Sequence, residues 1–183
     1  MGTIHLAPET LDELDRLDRE LLVLTFFADE RPLRGLSGFA DWRHAGRLSR
    51  FLFEASLSGR QGEKLLWATR RKIGAPLILL YGLGPKKAFD NMIFVQTVEK
   101  LVSVASGLNV ASFALSIPGA HITDDYLLER MAILLKEIQT RYDGEVTLFI
   151  NRRQSFKDMH AKFLLIQEEL DKLAPLGAER RAP

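Results

Sequence analysis

Strand-like and helix-like patterns alternate along most of this chain. That alternation predicts a three-layer α/β/α fold, with a mixed, mostly parallel sheet between helical layers. Two further observations support it. The dense apolar runs at residues 21–27, 77–81 and 110–117 have strand length, whereas the segments between them return apolar residues every three or four positions. One short basic connection, Arg70-Arg71-Lys72-Ile73-Gly74, fits a hairpin and supplies the antiparallel pair of an otherwise parallel sheet.

In order, residues 3–7 read as a short first strand ended by Pro8 and Glu9. Thr10 with Glu13 forms a capping box, in which hydroxyl and carboxylate satisfy free amides, so a helix carrying Leu11, Leu14 and Leu17 starts there. Residues 21–27 form a buried strand, and Pro32, Gly35 and Gly38 mark a loop over 32–38. Residues 41–56 read as one helix, with Trp42, Ala45, Leu48, Leu52 and Ala55 on its buried face and Arg43, Arg47 and Arg50 elsewhere. Residues 63–69 and 76–81 are the strands of the hairpin. Gly82-Leu83-Gly84-Pro85 turns the chain into a helix, the proline suiting its first turn. Phe89, Met92, Ile93, Gln96, Leu101, Val102 and Ala105 lie on that helix, which Gly107 and Asn109 end.

Residues 110–117 are a strand stopped by Pro118-Gly119. Thr123 opens a helix whose first turn is favoured by Asp124 and Asp125, with Leu127, Met131, Leu134, Leu135 and Ile138 as its apolar stripe. Asp143-Gly144 leads into a strand over 145–150. Ser155 starts the last helix. Phe156, Met159, Phe163, Ile166, Leu170 and Leu173 form its seam, read as packing on the sheet rather than as a coiled coil. A single domain over 1–174 and a mobile tail over 175–183 are the expectation.

Composition narrows the function classes. The 183 residues carry a formal net charge of +1, so attraction to a polyanion has to come from a local patch rather than from the whole molecule. Without cysteine, thiol nucleophiles, thiolate metal sites and disulfides are excluded. No secretory signal pattern opens the chain and no apolar run approaches a bilayer span, which makes a cytoplasmic, non-membrane protein the expectation.

Four ordered stretches resemble the amino-terminal domain of the leucyl aminopeptidase family, peptidase family M17. They are Leu22-Val23-Leu24-Thr25-Phe26-Phe27-Ala28-Asp29-Glu30; Ser58-Gly59-Arg60-Gln61-Gly62-Glu63-Lys64-Leu65-Leu66; Leu77-Ile78-Leu79-Leu80-Tyr81-Gly82-Leu83-Gly84; and the following helix with the strand over 110–117. Order and spacing agree from about residue 20 to about residue 150. The resemblance implies a macrodomain-like fold, and Ser116-Ile117-Pro118-Gly119 and Val146-Thr147-Leu148-Phe149-Ile150-Asn151 are similar to the closing elements of macrodomains. The family's dimetal peptidase chemistry belongs to a carboxyl-terminal domain whose "N-T-D-A-E-G-R-L" signature does not occur in these residues. The resemblance therefore implies no catalytic residue, no metal and no cofactor here.

Two loops are candidate ligand sites. Gly82, Gly84 and Lys86, with Lys87, stand between a strand end and a helix start, where amides and dipole favour a phosphate. Ser116, Gly119 and His121 fall on the loop that holds diphosphate in macrodomains, by resemblance. There the family's second glycine is replaced, and Asp29 and Glu30 stand where an asparagine-rich loop would be. His121 with Asp124 and Asp125 is read as helix-start chemistry rather than a metal cluster, and His44 and His160 as partly exposed helix residues. Arg43, Arg47 and Arg50 form one basic cluster and Arg70, Arg71 and Lys72 another. If the fold united them in one face, contact with DNA, otherwise not expected, would be favoured.

These readings converge on a non-catalytic binding or assembly module. A nucleotide- or ADP-ribose-binding macrodomain and a DNA-contact module are the alternatives. A homodimer or a protein partner is expected, with Phe39, Phe51, Phe53 and Trp67 as surplus apolar residues. The competing account places those residues in a second layer of the core.

Overall fold

A computed structural model describes residues 2–54, 57–70, 72–120, 126–151 and 156–173. The chain runs β1 (Ile4–Pro8), α1 (Leu11–Asp15), β2 (Leu21–Phe26), α2 (Gly35–Arg43), α3 (Arg47–Phe53), β3 (Lys64–Ala68), β4 (Leu77–Gly82), α4 (Asn91–Gly107), β5 (Ser112–Ser116), α5 (Leu127–Arg141), β6 (Glu145–Ile150) and α6 (Phe156–Leu173). The sheet order is β1-β6-β5-β2-β4-β3. All pairs are parallel except β3 with β4, the expected hairpin.

The period of two along each strand sorts side chains into two cores. Leu21 and Val23 of β2, Leu79 and Tyr81 of β4, Phe113 and Leu115 of β5, and Val146 and Leu148 of β6 face α4, α5 and α6. Leu22, Leu24, Phe26, Ile78, Leu80, Ala114 and Phe149 face α1, α2 and α3. Burial on both faces explains why β2 is an unbroken apolar run rather than an alternating one. The α6 seam packs on this structure, with Met159 and Phe163 buried and Phe156, Ile166 and Leu170 against the same core. No helix among the described residues is long and apolar enough to cross a membrane.

Four local readings are corrected. Residues 41–56 do not form one helix. The chain turns a corner between α2 and α3, where Ala45 and Gly46 both have positive φ, 53° and 74°. Asp41 clamps that corner: its carboxylate accepts the Ser49 amide at 3.0 Å and the Ser49 hydroxyl, while its carbonyl accepts the Gly46 amide at 2.9 Å. Trp42 is consequently 64% exposed rather than buried. The expected loop over 32–38 already contains the start of α2. Gly38 is there for proximity, since a Cβ would lie 2.7 Å from the Leu33 carbonyl oxygen.

After Gly84 the chain makes a single 3₁₀ turn, Lys86–Ala88, and α4 starts only at Asn91, where the Asp90 carboxylate accepts the Ile93 amide at 2.8 Å. Pro85 therefore does not open that helix, and Met92 is exposed. His44, expected on an exposed face, is 4% exposed. The Thr10 cap is present as read, accepting the Glu13 amide at 3.2 Å. The helix starts expected at Thr123, with Asp124 and Asp125, and at Ser155 lie outside the described residues.

Candidate functional site

The first loop, Gly82 to Lys86, is an internal joint. The Gly82 amide donates to the Glu63 carbonyl, Leu83 to Phe26, Gly84 to Gly59, and the Lys86 amide to the Asp29 carboxylate, all at 2.9–3.0 Å. The Lys86 ammonium lies 3.1 Å from Glu30, whose side chain is 1% exposed. Gly82 is a glycine because a Cβ would fall 2.3 Å from the Arg60 carbonyl oxygen. Opposite, Glu63 ties down the 58–62 turn by accepting the amides of Ser58, Gly59 and Arg60 and the Ser58 hydroxyl, at 2.7–3.2 Å. Partial desolvation pushes its carboxyl up, but those hydrogen bonds from Gly59, Ser58 and Arg60 outweigh it, so the pKa falls below its ordinary 4.5.

The second loop lies at the carboxyl ends of β2, β5 and β6. Ser116 lines a cleft there with Thr25, Ser37, Phe149 and Asn151, and the cleft has a volume of only about 10 Å³. The Ser37 hydroxyl donates to the Thr25 carbonyl at 2.8 Å, drawing α2 across it. Gly119 has φ +75°, and the Phe89 ring covers it so closely that a Cβ would meet Phe89 Cε1 at 2.6 Å. Phe89 is itself held edge-on by Phe27 at 5.2 Å and lies under the Arg130 guanidinium at 5.3 Å. Burial lowers the pKa of Arg130, with the charges of Glu129 and Tyr126 acting in the opposite direction. His121 lies outside the described residues.

A much larger concavity, about 530 Å³, opens at the opposite end of the sheet, between the α2–α3 corner and the β3–β4 hairpin. Its wall brings together Arg43, Arg47 and Arg50 with Arg70 and Lys72, so the fold unites described members of two basic clusters that are well separated in sequence. Arg71 is not among the described residues. Arg43 pairs with Asp15 and stacks on Trp42, 4.9 Å from its ring centre. Among the described residues, Arg47, Arg50, Arg70 and Lys72 make no side-chain hydrogen bond or ion pair.

The floor of this groove is aromatic. Trp67, on the inward phase of β3, packs against Phe51 edge-on at 5.7 Å and against His44 at 4.6 Å. The His44 Nδ1 lies 2.8 Å from the Ala40 carbonyl oxygen and so carries a hydrogen, while its buried Nε2 has no partner among the described residues. An unsatisfied buried polar atom of this kind costs about 1–3 kcal/mol. Sequence reasoning gave the five cations but missed His44 as a groove residue. It also placed Phe51 and Trp67 only in a surplus of apolar residues. The strand alternation that puts Trp67 on the same side as Leu65 is the one signal that could have linked it to α3.

The family and the fold now follow from comparison with known proteins. Residues 23–141 match the model of the cytosol aminopeptidase family, N-terminal domain, and the chain belongs to that family. Among solved structures it resembles a mutant of tomato leucine aminopeptidase, with 12% identity and a TM-score of 0.62 over 93% of this chain and 36% of that one. The chain therefore spans about a third of the tomato enzyme. It is also similar to the macrodomain of Mycobacterium tuberculosis DarG, with 17% identity and a TM-score of 0.64 over 81% of this chain and 98% of that one. A mutant of the Oceanobacillus iheyensis macrodomain with ADPR gives 13% identity and a TM-score of 0.67 over 95% of both chains. These likenesses establish a macrodomain-like fold. No curated protein sequence matches the chain.

Proposed function

We propose that this domain is a non-catalytic binding module that works through the basic groove at the hairpin end of the sheet. The observation that carries the reading is the convergence of Arg47, Arg50, Arg70 and Lys72 on one concave wall without acidic partners among the described residues. Like charges held together repel, and an anionic partner relieves that repulsion. A protein of net charge +1 has no need of such a cluster for solubility alone. An ADP-ribose-binding reading has less support. Ligand pockets usually measure about 300–1,000 Å³, whereas the described part of the strand-end cleft holds about 10 Å³.

Retention on a heparin matrix tests the proposal. The wild type is expected to bind at low ionic strength and to elute at higher salt than an Arg47→Gln/Arg50→Gln double variant. Passage of the wild type straight through the matrix at about 50 mM salt, where surface charges are weakly screened, would overturn it. Self-association is a second reading, favoured by one observation: Phe53 is 90% exposed and Trp42 64% exposed, on α3 and α2 respectively. Exposed apolar side chains of this kind, outside the groove, suit a two-fold contact.

A further inference from the structure

We infer that the basic groove holds a nucleotide unit, its phosphate on Arg47 and Arg50 and its base against Trp67. The inference rests on the groove being the working surface proposed above, and adds the chemistry of the occupant. Planar guanidinium groups match phosphate oxygens in fork geometry, and the groove offers Arg47, Arg50 and Arg70 with Lys72 beside them. A carboxylate peptide or a bare phosphate would satisfy these charges and leave the aromatic floor unused. Trp67, half-buried beside His44, gives a planar base a stacking surface next to the cations.

His44 points the same way. Its Nδ1 hydrogen is directed to the Ala40 carbonyl, so in the neutral ring Nε2, which has no partner among the described residues, is a lone pair. A bare anion has no hydrogen to give it, whereas the exocyclic amine of a base does. The groove measures about 530 Å³, the size of a small-molecule site. A base has to be free of a duplex stack to reach Trp67. A free nucleotide and an unpaired nucleotide in a single strand both provide this chemistry.

The test uses fluorescence. The chain has two tryptophans, Trp42 and Trp67, so a Trp42→Phe variant makes Trp67 the sole reporter. The variant is titrated at low salt with ATP, a single-stranded oligodeoxyadenylate, a duplex oligonucleotide and tripolyphosphate. ATP or the single strand is expected to quench Trp67 and to bind at least tenfold more tightly than either tripolyphosphate or duplex. Adding Arg47→Gln and Arg50→Gln should weaken that binding tenfold or more while circular dichroism stays unchanged.

Preference for ATP identifies a free nucleotide, and preference for the strand identifies an unpaired polynucleotide; either supports the inference. Binding of tripolyphosphate or duplex as tight as that of both nucleotide probes overturns base recognition and leaves the anion groove standing. Failure of ATP and the single strand to bind, or binding indifferent to the arginine changes, also overturns it. Loss of heparin retention as well would overturn the reading beneath it.

Discussion

Gly82 and Gly84 look alike in sequence, and the structure assigns them different physical roles that a paired substitution separates. At Gly82 an added Cβ meets three backbone atoms within 3.0 Å: the Arg60 carbonyl oxygen at 2.3 Å and the carbonyl carbon and oxygen of Gly59 at 2.8 and 2.9 Å. Backbone cannot rotate away as a side chain does, so Gly82→Ala must push β4 from the 58–62 turn. It would stretch the hydrogen bonds from Gly82 to Glu63 and from Gly84 to Gly59. Overpacking of this kind costs about 1–3 kcal/mol, and a domain of this size loses about 2–4 °C in Tm per kcal/mol. A fall of roughly 2–12 °C is expected.

At Gly84 the nearest atom is Gln61 Cβ at 3.5 Å, ordinary contact, but φ is +78°. Gly84→Ala pays only the left-handed strain of about 1–2 kcal/mol, so its Tm should fall less than that of Gly82→Ala. Differential scanning calorimetry of the two variants decides this. Gly82→Ala melting with the wild type, or Gly84→Ala proving the more damaging, would refute the view that this turn is a packing joint.

The Glu63 carboxyl has its pKa lowered on folding, so it contributes stability that is fully present above its unfolded value, near 4.5, and is lost as pH falls through the lower folded value. Glu63→Gln should therefore flatten the stability curve below about pH 4.5, as read by urea melts; an unchanged acid limb would contradict the assignment. Phe53→Ser is expected to shift any dimer seen by sedimentation velocity towards monomer with little change in Tm, because Phe53 is 90% exposed. A wild type of one-chain mass at all concentrations would remove the self-association reading. No hydrolysis of leucine p-nitroanilide is expected with added zinc or manganese, and turnover that co-purifies with the chain would contradict the non-catalytic reading.

The centre of the sheet is readable from the sequence because β2, β4, β5 and β6 are buried on both faces and separated by strong turn signals. Leu21-Leu22-Val23-Leu24 admits no other placement, and Thr10 announced its helix by a cap that the structure contains. What misled was glycine and corner chemistry. Gly35 and Gly38 read as loop residues in the sequence, although α2 runs through them. The Asp41–Ser49 clamp that breaks residues 41–56 into two helices joins groups eight residues apart, beyond what propensity registers.

The groove suffered from the same limit. Arg43, Arg47 and Arg50 were visible as one cluster and Arg70 to Lys72 as another. Their union depends on the α2–α3 corner meeting the hairpin, a tertiary fact. Glycine between a strand end and a helix start suggests close approach of a phosphate at Gly82, and the macrodomain resemblance implies it at Gly119. Close approach does occur at both, but the approaching groups are the Gly59–Arg60 backbone and the Phe89 ring.

The most direct test of the groove as the working surface is the salt dependence of binding to a single-stranded polyanion. Each phosphate neutralised on a single strand contributes about −0.7 to the slope of log affinity against log salt. If Arg47, Arg50, Arg70 and Lys72 each engage one phosphate, the wild type should show a slope of about −2.8. The Arg47→Gln/Arg50→Gln variant should then show about −1.4. Between 50 and 200 mM salt these correspond to losses of roughly fifty-fold and seven-fold. A wild-type slope near zero, or a slope that the double substitution leaves unchanged, would contradict the account.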